Sequence, residues 1–180
     1  MTLEERMRAI KLFLMDVDGV LTDGQIVYAS VDGFDLEVKS FDVKDGLAIV
    51  QARRVGLYCG ILSARSSEAT LRRCRELGID HVVVGCTDKL NGVLETAKQC
   101  NLELAQIAYM GDDLHDLPPM RRVGLAVAPA DAAPEVKAVA HFVTKAPGGR
   151  GAVREALVAL LKAQGLWDEV LRAFGGGEAQ

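Results

Sequence analysis

With 180 residues, 49% of them hydrophobic and 26% charged, the chain is long enough to bury one sizeable core and has a globular composition. A formal net charge of −4 excludes a broad basic nucleic-acid surface, and no apolar run reaches the length of a bilayer span. Aromatics are only 5%, so the core has to be built mainly from Leu, Val, Ile and Ala.

The opening MTLEERMRAI mixes acids and bases without an apolar stretch, so it does not read as a signal peptide and a cytoplasmic protein is expected. KLFLM (11–15) is continuously apolar, as in a parallel strand covered on both faces, and runs straight into Asp16, Val17, Asp18 and Gly19. QIVYASVDGFDLEVKSFDV (25–43) has two strand-like pieces around Asp32-Gly33, the signal for an inserted β-hairpin. From there helical patterns (45–55, 66–77, 88–100, 114–122, 131–139) alternate with short apolar runs (57–62, 81–84, 106–110, 124–127, 141–143). The last part, 146–180, reads as a Gly-rich hinge, an amphipathic helix and a disordered GGGEAQ end. The alternation predicts one α/β domain over residues 1–180, a doubly wound parallel sheet with a small β-hairpin insertion and no cap domain.

Cys59, Cys74, Cys86 and Cys100 are widely spaced, contain no CxxC pair and, with three scattered histidines, make no zinc pattern. Reduced thiols are expected.

In open α/β sheets ligands sit beyond the carboxyl ends of the strands. Asp16 and Asp18 follow the first strand, Ser63 and Arg65 the second, Lys89 opens the helix after GCTD, and Asp112, Asp113 and Asp116 follow IAYMG. Singly each has a plainer reading: an Asx-turn, a helix cap, a turn serine, a solvated lysine. Together they put carboxylates, a hydroxyl and cations on one rim. Two carboxylates two positions apart need a positive partner. Hard oxygen donors suit Mg²⁺, which is placed between Asp16 and Asp112. An EF-hand is excluded, because its required Gly falls on Leu21 when counted from Asp16. Beside such a metal, Ser63 can donate to a phosphoryl oxygen and Lys89 can neutralise its charge, the ingredients of phosphoryl transfer.

DVDGVLTDG, Ser63, Lys89 and GDDLHD resemble the four ordered motifs of the haloacid dehalogenase superfamily of phosphohydrolases. DGVLTDG, KSFDVKDGLAI, GDDLHDLPPM and GGRGAVREAL are similar to its 3-deoxy-manno-octulosonate 8-phosphate phosphatase family, whose near relatives act on nine-carbon sialic-acid-like phosphates. The resemblance implies that Asp16 is a nucleophile forming an aspartyl-phosphate and that Asp18 is an acid and then a base. It also implies that Asp16, Asp18 (through its backbone carbonyl) and Asp112 hold Mg²⁺. The phosphate and sugar would meet Ser63, Ala64, Arg65, Lys89, Lys44, Asp45, Gly46 and Arg150. Asp113 and Asp116 would orient the site, Asp113 the better placed. Two departures from the family pattern are Ser63-Ala64 for Thr-Gly and Ala48 for Gly. The family also implies a homotetramer assembled through the hairpin, with the Gly-rich tail reaching a neighbouring site; Gly148, Gly149 and Gly151 would give that tail its flexibility. A phospho-receiver domain is the non-enzyme rival, but it lacks an acid two residues after the phosphorylated one and orders its acidic pair differently.

Overall fold

The computed structural model describes residues 1–176; of the end expected to be disordered, residues 177–180 lie outside the described residues. Its strands are β1 (Leu12–Met15), β2 (Val27–Val31), β3 (Phe34–Val38), β4 (Tyr58–Leu62), β5 (His81–Val83), β6 (Ile107–Met110), β7 (Leu125–Ala128) and β8 (Phe142–Val143). Six of them form a sheet in the order β5-β4-β1-β6-β7-β8, every pair parallel. The expected α/β fold is therefore present.

The continuous apolar character of β1 has the cause inferred from sequence: all four residues are buried, alternate ones on opposite faces. Phe13 and Met15 join the core beneath α1 (Leu3–Ala9), α2 (Val43–Arg54), α7 (Ala152–Ala163) and α8 (Trp167–Arg172). Leu12 and Leu14 join the core on the other face, beneath α4 (Lys89–Cys100), α5 (Leu117–Met120) and α6 (Pro134–Val139). Each such side chain contributes about 1.5–3 kcal/mol of burial. The remaining helix, α3 (Glu68–Leu77), ends on left-handed Gly78.

Most expected boundaries moved by a few residues, for identifiable reasons. Asp42 accepts from the Lys44 amide and caps α2, so that helix starts at Val43 and Lys44, Asp45 and Gly46 lie in its first turn. The helix expected over 114–122 is a 3₁₀ turn, Leu114–Asp116, followed by the short α5, whose Pro118 and Pro119 have no amide hydrogen to give. The helix α1, which the sequence reading did not anticipate, begins with a capping box between Thr2 and Glu5.

The strand order reverses at β1, which has β4 on one side and β6 on the other. This is the switch point at which α/β sheets open a crevice. The hairpin stands directly after it. Its turn residues Asp32 and Gly33 have φ of 52° and 82°, as a tight two-residue turn with primed geometry requires. Register opposes Val27 to Val38, Tyr28 to Glu37 and Ala29 to Leu36, so one face is apolar and the other polar. The apolar face has no cover within the described residues: Val27, Phe34, Leu36 and Val38 are all exposed, Phe34 by 73%.

Candidate active site

Asp16 is the first residue past β1, fixed there by its amide donating to the Met110 carbonyl at 2.9 Å. Its carboxylate is buried. Oδ1 accepts from the Val17 amide at 2.7 Å, and Oδ2 lies 2.5 Å from Lys89 Nζ and 3.2 Å from His115 Nε2. Burial opposes its charge, but the His115 hydrogen bond and the Lys89 ammonium outweigh that and hold the carboxyl below its usual range. The same contact raises His115.

Lys89, at the start of α4, has no exposed side-chain surface. Its ammonium also donates to Asp116 Oδ1 at 2.7 Å. Asp116 is the hub of this corner: Oδ1 accepts from Tyr109 at 2.7 Å as well, and Oδ2 accepts from the amides of Asp112 and Asp113 at 3.0 and 3.3 Å. Asp113 itself is exposed and caps the following 3₁₀ turn through the Leu114 amide. The expectation that Asp113 is the better placed orienter is therefore reversed. A carboxylate that must organise four donors has to be enclosed by them, and Asp116 is the enclosed one. Asp16, His115 and Asp116 each bring a possible ligand atom within 4.8 Å of the others, but the Lys89 ammonium already lies against two of them and balances that charge.

Asp112 differs. Its Oδ1 is buried with no hydrogen-bond partner. Burial, followed by the charges of Asp116 and Asp16, pushes its pKa up to about 7. Its carboxylate lies against the Cα of Gly19, where an added Cβ would come within 2.0 Å of Oδ2. Gly19 also has φ of 87°, so the glycine of the DVDG run is required twice. An orphaned carboxylate oxygen beside two further carboxylates fits a divalent cation. The donor set is all oxygen, which fits Mg²⁺.

Asp18 turns toward the hairpin. Its Oδ1 pairs with Lys39 Nζ, and Arg65 Nε stands 4.0 Å from its Oδ2. Ser63 is buried past β4, its amide on the Val83 carbonyl and its hydroxyl accepting from the Arg65 amide at 3.2 Å. Ala64 and Arg65 are exposed beside it, and the Arg65 guanidinium reaches Glu37 at 2.8 Å and Tyr28 at 3.5 Å. Arg65 thus ties the hairpin to the rim.

The FDVKDG and GGRG residues take other positions. Both carboxylate oxygens of Asp45 accept amides at the start of α7, Gly151 at 3.0 Å and Arg154 at 2.7 Å, so Asp45 is a helix cap rather than a free substrate ligand. Burial raises its pKa. Gly46 makes room for Arg73, whose guanidinium an added Cβ would meet at 2.2 Å. Lys44 and Arg150 line a cleft of about 560 Å³ along α7, whose lining includes none of Asp16, Asp18, Ser63 or Lys89, and Arg150 reaches Asp23 at 3.3 Å. Of the three glycines expected to give flexibility, Gly148 and Gly149 pack closely, while Gly151 has room around it. A Cβ at Gly148 would fall 1.9 Å from the Gly19 carbonyl, and one at Gly149 would fall 2.3 Å from the Asp23 amide. The loop rests on its own chain's residues 19–23.

The sequence reading missed Lys39, Glu37, Tyr109 and His115. Lys39 and Glu37 were legible through the period-two alternation of FDLEVK, which puts Asp35, Glu37 and Lys39 on one face. Tyr109, inside a buried apolar strand, gave no such signal.

The model of haloacid dehalogenase-like hydrolases matches residues 81–157. The 3-deoxy-D-manno-octulosonate 8-phosphate phosphatase KdsC of Escherichia coli K12 is 42% identical over 160 residues, spanning 89% of this chain and 84% of that protein. The phosphatase of Moraxella catarrhalis, solved with magnesium, phosphate and a KDO molecule, superposes with a TM-score of 0.91 at 40% identity, over 95% of this chain and 97% of that one. The cobalt-bound enzyme of Haemophilus influenzae superposes at 0.83 with 38% identity, over 89% and 92%. By sequence and by fold, this chain belongs to the 3-deoxy-D-manno-octulosonate 8-phosphate phosphatase family of haloacid dehalogenase-like hydrolases.

Proposed function

We propose that the chain is a Mg²⁺-dependent phosphatase that hydrolyses 3-deoxy-D-manno-octulosonate 8-phosphate through an aspartyl-phosphate on Asp16, a reaction of lipopolysaccharide sugar synthesis. The observation that carries the reading is the buried Asp16 carboxylate, held 2.5 Å from the Lys89 ammonium beside the unpartnered oxygen of Asp112. Relatives at 42% identity bear this activity in their names.

Asp16, Asp112 and the backbone carbonyl of Asp18 would hold Mg²⁺. When bound, the ion offsets the charge of the phosphoryl group against these carboxylates. Lys89 supplies a second cation that costs no reorganisation, because Asp116 and Tyr109 already fix its surroundings. Ser63 donates its hydroxyl to a phosphoryl oxygen. Asp16 attacks phosphorus, the bond from phosphorus to the sugar oxygen breaks, and Asp18 gives its proton to that oxygen. Water then passes a proton to Asp18 and attacks phosphorus. The bond to Asp16 breaks, releasing inorganic phosphate and restoring the carboxylate.

Assembly belongs to the same reading. An isolated hairpin is marginal in water, and this one exposes Val27, Phe34, Leu36 and Val38. Pairing of hairpins in a homotetramer would cover that face. No helix among the described residues is long and apolar enough to cross a membrane. The four cysteines are free, which agrees with a reducing cytoplasm.

The test is phosphate release from a panel of eight- and nine-carbon sugar-acid phosphates, with Mg²⁺ and with EDTA. The expected result is the highest kcat/KM on the eight-carbon 8-phosphate and silence in EDTA. Preference for a nine-carbon 9-phosphate would move the substrate to the sialic-acid-like class, and release in EDTA would remove the metal from the reading.

A further inference from the structure

We propose that Lys39 is a positioning residue for Asp18, so that the hairpin, through one buried ammonium, sets the acid/base half of the reaction. The proposal rests on the acid/base reading of Asp18 given above.

Lys39 follows the last residue of β3, and its side chain has no exposed surface. A lysine seldom gives up its hydration entirely; when it does, it is paired. Its Nζ is paired with Asp18 Oδ1, and Glu37 Oε1 lies at 3.6 Å. The other oxygen of Asp18 faces Arg65, which is itself held by Glu37. Asp18 therefore has one charged partner from the end of the hairpin, Lys39, and a second, Arg65, that follows β4 and is tied to the hairpin, while those of Asp16 come from α4 and the turn before α5. Glu37 joins the two cations of Asp18 into one network, with Tyr28 on the opposite strand touching Arg65.

The chemistry gives this arrangement a purpose. Asp18 has to serve the leaving oxygen in the first step and water in the second, and the carboxylate is not anchored by a backbone amide as Asp16 is. A side-chain rotation would take it out of reach of both. Misplacement of about 1 Å can cost roughly a hundredfold. A buried ammonium held at the end of a strand fixes the rotamer from one side and leaves the other side for substrate.

The step that isolates Asp18 can be chosen by leaving group. p-Nitrophenolate departs without a proton, so Asp16 is phosphorylated without help from Asp18, and only hydrolysis of the aspartyl-phosphate needs it. The experiment compares the Mg²⁺-loaded full-length wild type, Lys39→Met, Lys39→Arg and Asp18→Asn by rapid-mixing kinetics on p-nitrophenyl phosphate and by steady-state kinetics on the sugar-acid phosphate. Lys39→Met is expected to release one equivalent of p-nitrophenolate per subunit at the wild-type rate and then turn over about 10- to 100-fold more slowly, with kcat on the sugar substrate reduced and KM held. Lys39→Arg, which keeps the cation, should recover most of the rate, and Asp18→Asn should show the same burst and stall. Wild-type turnover in Lys39→Met beside a stalled Asp18→Asn overturns the proposal alone. Absence of any burst in Lys39→Met also overturns it, because the damage then reaches Asp16. Wild-type turnover in Asp18→Asn overturns the acid/base reading from which the proposal starts.

Discussion

The rim beyond β1 and β6 and the hairpin beyond it invert each other. At the rim, charged groups are buried: Asp16, Lys89 and Asp116 lose nearly all contact with solvent and are satisfied by one another and by Tyr109. On the hairpin, apolar groups are exposed: Phe34, Leu36, Val27 and Val38 face outward with nothing over them among the described residues. Each pattern costs free energy in an isolated chain. The rim's cost is offset within the chain by charge pairing, whereas the hairpin's is offset only by another surface. The proposed chemistry is thus organised within one chain, whereas its enclosure would call on a second surface.

The comparison can be broken at its charged end first. Asp16→Asn keeps the shape of the proposed nucleophile but not its nucleophilicity, and phosphate release should be abolished. Activity within tenfold of wild type in a phosphate assay would remove Asp16 from that role. The variant should leave the assembly intact by light scattering, as the two regions are held by different forces.

At the apolar end, Phe34→Asp places a charge on the exposed face and should convert the assembly to monomers at micromolar concentration. Light scattering showing an unchanged particle mass would mean that the hairpin is not the interface.

Lys89→Met tests how far the rim depends on its own cation. It leaves two buried carboxylates without their shared partner and should cost roughly 3–5 kcal/mol in urea unfolding of the metal-free protein. A loss below 1 kcal/mol would show that the carboxylates were never dependent on it.

Asp112 sharpens the contrast through pH. Its folded pKa of about 7 lies above the ordinary carboxyl value of 3.8. The folded state thus holds a proton that the unfolded chain releases. That contribution is fully present below about pH 4 and is lost as pH rises through 7. In the metal-free protein, Asp112→Asn should flatten the fall in melting temperature between pH 5 and 8. With Asp112 as a proposed ligand in its ionised form, Mg²⁺ should raise the melting temperature more at pH 8 than at pH 6. Equal pH slopes in wild type and variant would contradict this.

The smallest effect is expected at Asp45, which neither region contains. Asp45→Ala removes the cap on α7 and should cost about 1–2 kcal/mol, read by urea midpoint. No change would show the two amides to be satisfied by water.

What was legible in the sequence follows the same division. The common placement of Asp16, Ser63, Lys89 and Asp112 could be read because strand ends in a doubly wound sheet share one rim, so local patterns bring distant residues together. The enclosure of Asp116 rather than Asp113 is not legible, because spacing along a motif does not tell which carboxylate the following turn encloses. The contacts of Asp45, Gly148 and Gly149 are illegible for a similar reason. Their partners are the start of α7 and the loop at 19–23, and no local pattern announces a cap or a backbone contact made across most of the chain. Lys39 was written in the alternation of its strand, but its meaning depended on where the hairpin leans.

The contact between the GGRG loop and the loop after β1 also bears on how the protein is made. The Gly149 amide donates to the Val20 carbonyl, and Gly148 packs on the Gly19 carbonyl. The loop that carries Asp16 and Asp18 is thus propped by residues synthesised long after it. During translation Asp16 emerges early, but the support of its loop does not exist until the chain has passed residue 149 and that segment has cleared the ribosome. A chain truncated before that point would keep Asp16, Asp18, Ser63, Lys89 and Asp112 in its sequence, but it would lose both α7 and the prop beneath the loop that carries the first two.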